Sequence, residues 1–154
     1  MAKNKINITP LWRFLFLFYC AVMLWLLFDR SDIRNPDLPY TDLLRQNTNL
    51  VPFYTIRSYW HVLKHSSDRY WLAHCFLNLA GNVVLFIPAG WLLPRLWEQM
   101  GRFFRFLCLC AGAIFLVETV QLFTLLGRFD IDDLILNLSG MVLGFLLFQL
   151  RRRR

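Results

Sequence analysis

The chain has 154 residues, 17 Lys and Arg against 10 Asp and Glu for a net charge of +7, and is 57% hydrophobic with only 18% charged residues. Soluble domains run at about 45–50% apolar and about 25% charged. The excess here is gathered in long blocks that one small core would not bury on all sides, and the basic residues sit at the ends of those blocks. That pattern excludes a disordered chain, a secreted disulfide scaffold and a soluble nucleic-acid binder.

A membrane helix needs roughly 20 mostly apolar residues, and four blocks qualify: 11–28, 71–94, 103–126 and 131–150. The first follows Lys3, Lys5 and Arg13 in the manner of a signal peptide, yet Asp29 and Arg30 come after it with no small-residue cleavage site. It is expected to remain as a helix. The expected fold class is therefore an all-α integral membrane protein, a single membrane domain over residues 1–154 with four transmembrane helices.

Between the first two blocks, residues 29–70 form the one long connection. Pro36, Pro39 and Pro52 prevent a long helix there. Phe53, Tyr54, Tyr59, Trp60, Tyr70 and Trp71 are aromatic types favoured at a membrane interface, so the part near 53–64 is expected to lie along the surface.

Charge sets the orientation. Ten Lys and Arg fall at the two ends of the chain and between the second and third blocks, against Arg128 alone between the third and fourth. The long loop 29–70 holds six more together with five Asp, and the rule is applied to the short connections and tails. By the positive-inside rule both termini are cytoplasmic (N-in/C-in), and the long loop 29–70 faces outward. Arg151 to Arg154 would anchor the last helix to anionic inner-leaflet lipids. Cys20, Cys75, Cys108 and Cys110 lie in apolar blocks, with no spacing that suggests a disulfide or a zinc site.

Polar groups in a bilayer core are costly unless partnered, so those inside the blocks are the candidate site. In the second block His74, Asn78 and Asn82 recur at i, i+4 and i+8 and form one stripe. The third block carries Glu118 and Gln121 on one face. The fourth begins with Asp130, Asp132 and Asp133, and Asn137 lies one turn beyond Asp133. At 1.5 Å per residue, the expected topology puts all three stripes within about 3–17 Å of the outer helix ends. The small residues Gly81, Gly140 and Gly144 allow close helix approach, and Pro88 and Gly90 interrupt the second block.

These residues resemble the VanZ-like membrane proteins, a family named for a protein linked to glycopeptide (teicoplanin) resistance. The resemblance covers about residues 49–150. It rests on NLVPF at 49–53, on NLAGNVVLFIPAGWLLP at 78–94 and on VETVQLFTLLGRFDIDDLILNLSGMVLGF at 117–145, the last being the most specific. It implies a multi-helix protein of the bacterial plasma (inner) membrane. Carried across residue by residue, it points to Asn82, Phe86, Pro88, Gly90, Glu118, Gln121, Arg128, Asp130, Asp133, Asn137 and Gly140.

The ligand-binding set expected from these observations is Asn78, Asn82, Glu118, Gln121, Arg128, Asp130, Asp133 and Asn137, with Glu118 at its centre. Glu118 and Asp133 are the candidates for catalysis. Glu118, Asp130, Asp132 and Asp133 offer oxygen ligands suited to a divalent cation such as Mg²⁺ or Ca²⁺, while helix capping is the simpler role for the aspartates. Arg128 suits either an internal salt bridge or a lipid phosphate.

Two functions are open at this level. One is a pocket for an amphiphile, such as a membrane lipid, a lipid-linked envelope intermediate or a lipoglycopeptide, that changes glycopeptide susceptibility or envelope homeostasis. The other is an intramembrane enzyme acting on a lipid-linked phosphate or ester. No nucleic-acid partner is expected, and self-association into a homo-oligomer is compatible with either.

Overall fold

The computed structural model describes residues 10–28 and 37–153. It holds four helices long and apolar enough to cross a membrane: α1 (Pro10–Phe28), a broken second span Arg69–Leu96, α6 (Phe103–Thr124) and α7 (Ile131–Arg153). The four expected blocks are thus helices, and the protein is an all-α, multi-pass membrane protein. Large apolar side chains such as Phe14, Leu17, Phe76, Phe104 and Leu116 face outward from these helices, as lipid-facing side chains do. All four cysteines are free.

The second span is two helices, α4 (Arg69–Val84) and α5 (Ile87–Leu96), separated by Leu85 and Phe86. Pro88 sits in the first turn of α5, where its missing N–H costs least. The interruption exposes backbone carbonyls in an apolar setting, and the Tyr19 hydroxyl of α1 donates to Leu85 O at 2.9 Å.

Close packing of α7 on the broken span depends on glycine. A Cβ at Gly140 would strike the Val83 carbonyl, one at Gly144 the Ile87 carbonyl, and one at Gly90 the Met141 carbonyl. Gly81 differs from the expectation: nothing lies within 4 Å of the place its Cβ would occupy, so no backbone approaches there. Around the seam Met23, Phe86, Ala89, Phe106, Cys110, Ile114, Met141 and Phe145 form the core.

At the end of the bundle away from the α6–α7 connection, α1 is attached by aromatic contacts. Trp12 meets Trp91 edge-on at 5.1 Å, and the Arg95 guanidinium lies 4.2 Å from the Trp12 ring centre.

Within the loop 29–70 the described residues are more ordered in form than the prolines alone suggest. Helix α2 (Tyr40–Gln46) starts directly after Pro39, and α3 (Tyr54–His65) starts after Pro52 and Phe53. Both are short, as the prolines require. Pro36 and the start of the loop fall outside the described residues. Between them β1 (Thr48–Asn49) pairs in parallel with β2 (Phe129–Asp130), Thr48 opposite Phe129 and Asn49 opposite Asp130. This small bridge has no counterpart in the sequence reading. It fastens the loop to the α6–α7 connection.

Candidate functional site

The three aspartates lie at the end of the α6–α7 connection and in the first turn of α7, and each does something different. Asp130 precedes the first residue of α7 and caps it, its Oδ1 accepting the Asp132 N–H at 2.9 Å. The same carboxylate reaches into the loop. Its Oδ2 accepts the Thr55 hydroxyl at 2.5 Å and its Oδ1 accepts the Asn49 amide at 3.2 Å. Asp132, wholly buried, turns away from its own helix to cap another: it accepts the N–H groups of Phe53 at 2.5 Å and Ile56 at 3.0 Å. Those are among the donors that the start of α3 leaves without helical partners, and a carboxylate there also meets the positive end of the helix dipole. Asp133 accepts the Asn82 amide at 2.5 Å, joining α7 to α4.

Helix α3 is thereby laid across the ends of α4 and α7. Beneath it is a cavity of about 450 Å³, within the size range of small-molecule sites. Its walls come from Tyr54, Thr55, Ser58 and Tyr59 of α3, His74 and Asn78 of α4, and Leu126, Gly127, Arg128, Asp130 and Asp133 of the α6–α7 region. The Tyr59 ring stands edge-on to His74 at 6.1 Å, and Trp71 backs His74 at 5.8 Å. Burial pushes the Tyr59 hydroxyl up from its ordinary pKa of 10.0, with Asp133 adding to the shift and Arg128 opposing it. Tyr59 therefore keeps its proton near neutral pH and remains a hydrogen-bond donor.

The backbone is strained on both sides of this cavity. Among the described residues the non-glycine positions with positive φ are Phe53 at 63° and Leu125 at 56°. The first begins α3 and the second ends α6. Such strain persists where surrounding structure fixes it, and it clusters at functional sites.

Of the expected ligand-binding residues, Asn78, Arg128, Asp130 and Asp133 line the cavity, with Asn82 bonded to Asp133 beside it. Glu118, Gln121 and Asn137 do not. They are buried in the bundle, only 4%, 1% and 2% exposed. Gln121 is occupied structurally, its Nε2 donating to Leu27 O at 2.6 Å at the end of α1 and its side chain packing on Gly127. Asp133 is in the cavity wall, and Glu118, the centre of the site expected from sequence, is not among the lining residues.

The structure does not bring Glu118, Asp130, Asp132 and Asp133 together as one set of oxygen ligands. Asp132 is committed to backbone amides and Asp130 to Thr55 and Asn49. Among the described residues no three His, Cys, Asp or Glu side chains gather as a metal ion would need.

The α3 wall was missed as a source of site residues. Tyr54 and Tyr59 read as interfacial aromatics, and Thr55 and Ser58 carried no signal. The available clue was NLVPF at 49–53, because Asn49 and Phe53 are the residues through which the loop reaches Asp130 and Asp132.

No curated protein and no solved structure matches the chain. The family described as VanZ/LLP1 matches residues 16–152, which includes the last three spans and most of α1, further toward the N-terminus than the motif segments at 49–150. The chain belongs to the VanZ/LLP1 family.

Proposed function

We propose that this protein binds the polar head of a membrane amphiphile in the cavity beneath α3, and that this binding changes how the amphiphile is presented at the outer surface of a bacterial plasma membrane. The observation that carries the reading is the placement of the cavity. It is polar, it lies at the ends of membrane-spanning helices, and an amphipathic helix covers it. A ligand whose head is hydrophilic and whose tails are apolar fits both surroundings at once. The basic asymmetry of the short connections supports an outward position for this end. Glycopeptide susceptibility is the phenotype that the family resemblance offers for testing.

The test blocks the cavity from the α3 side. Ser58 is an exposed wall residue, and Ser58→Trp would fill the space without touching the aspartate contacts that hold α3. Native mass spectrometry of the detergent-extracted wild type should show a retained lipid or lipid-linked intermediate that Ser58→Trp and Arg128→Gln lose. The same variants should lose any effect of the protein on teicoplanin susceptibility. Equal lipid retention in wild type and both variants would overturn the reading.

A further inference from the structure

The charges around the cavity are of both signs. Arg128 supplies a cation, Asp130 and Asp133 supply carboxylates, and Tyr59 senses all three electrostatically. A purely anionic head would meet two carboxylates, and a purely cationic one would meet the guanidinium. A head carrying both charges satisfies each. Asp133 bonds Asn82, which lies one turn from Asn78 on α4, so of the two carboxylates it is the one on the Asn78 side of the cavity.

The hydrogen-bonding groups narrow the cation further. Asn78 is in the cavity wall, and its Oδ1 is closed to solvent and accepts no hydrogen bond among the described residues. A buried carbonyl oxygen of this kind calls for a donor. Asp133, one helix away, is also an acceptor. A primary ammonium carries N–H donors for both oxygens, whereas a quaternary ammonium carries none. On the other side Arg128 offers the forked donors that suit a phosphate, with the Tyr59 hydroxyl, His74 and Ser58 as further polar groups around it.

Resting on the amphiphile reading above, we propose that the cavity selects a zwitterionic lipid head that joins a phosphodiester to a primary ammonium. The phosphate lies on Arg128, and the ammonium lies between Asp133 and Asn78. The apolar outer faces of α4 and α7 take the acyl chains.

The experiment measures lipid adducts on the delipidated full chain in detergent by native mass spectrometry, with short-chain phosphatidylethanolamine, phosphatidylcholine and phosphatidylglycerol as probes. The expected result is a preference for phosphatidylethanolamine of about tenfold over the other two, the size of one charge-assisted hydrogen bond. Asp133→Asn and Asn78→Leu should each bring it toward the level of phosphatidylcholine. Arg128→Gln should weaken phosphatidylethanolamine, phosphatidylcholine and phosphatidylglycerol alike.

Equal binding of phosphatidylcholine would overturn the primary ammonium, and equal or tighter binding of phosphatidylglycerol would overturn the zwitterion. In either case an amphiphile is still bound and the proposed function stands. Binding of none of the three lipids would remove that function as well. A preference that survives both Asp133→Asn and Asn78→Leu would overturn the placement. Soluble glycerophosphoethanolamine should compete only at far higher concentration, and competition at concentrations equal to the lipid would assign the site to a free head instead.

Discussion

Phe53 and Asp132 are 79 residues apart in the chain and joined by a 2.5 Å hydrogen bond, the Phe53 N–H donating to Asp132 Oδ1. The second oxygen of the same carboxylate takes Ile56 N–H at 3.0 Å. One buried side chain of α7 therefore fixes where α3 begins, and with it one whole wall of the cavity. The expected consequence is that Asp132→Ala frees α3. Two charge-assisted bonds are lost, each worth about 1.5–3 kcal/mol. Hydrogen exchange should rise through residues 53–65 while the interiors of α6 and α7 stay protected. Unchanged protection of 53–65 would show that the Asn49, Thr55 and Asp130 contacts hold the helix without Asp132.

The glycine seam gives a second prediction. Alanine at Gly140 or Gly144 drives a methyl group into the carbonyl of Val83 or Ile87, and backbone atoms have little room to move. Each substitution should cost about 1–3 kcal/mol and lower the midpoint of thermal unfolding in detergent. Gly81→Ala and Gly112→Ala meet open space, lie in helices and should be neutral or slightly stabilising. A loss of stability at Gly81 equal to that at Gly140 would contradict the packing described.

The four spans and the polar layer were legible in the sequence because both follow from simple periodicities. Twenty apolar residues make a span, and a 3.6-residue turn aligns Asn78 with Asn82 and Asp133 with Asn137. The Asn82–Asp133 contact joins two of those stripes, a pairing that the alignment alone did not name. Gln121 has a structural partner for a physical reason. A polar side chain in an apolar block resembles a ligand, but the last carbonyls of a helix also need donors, and Leu27 is one of them. The docking of α3 was not legible, since it depends on the backbone N–H groups of Phe53 and Ile56, which have no sequence signature. The same holds for the two-residue bridge between β1 and β2.

Orientation is the third prediction, and it rests on the distribution of Lys and Arg. In a variant lacking Cys20, Cys75, Cys108 and Cys110, Ser66→Cys at the end of α3 should react with an impermeant thiol reagent added to intact cells. Gln99→Cys, exposed between α5 and α6, should react only after the membrane is opened. The reverse labelling would place the cavity on the cytoplasmic side.

The last prediction separates the two carboxylates that the sequence put forward together. Asp133 lines the cavity and Glu118 is buried in the bundle, only 4% exposed and held by interactions there. If the cavity is the site, neutralising each residue has different effects. Glu118→Gln keeps the size and hydrogen-bonding capacity of the side chain, so membrane abundance and lipid retention should both stay near wild type. Asp133→Asn keeps an oxygen for the Asn82 amide, so abundance should hold, while the lost charge reduces lipid retention. Glu118→Leu is the structural control. It removes every polar contact, at about 1–3 kcal/mol for each partner left unsatisfied, and should lower abundance. An abundant Glu118→Gln protein that retains no lipid would show that an acid is needed behind the wall, and would return Glu118 to the centre of the site.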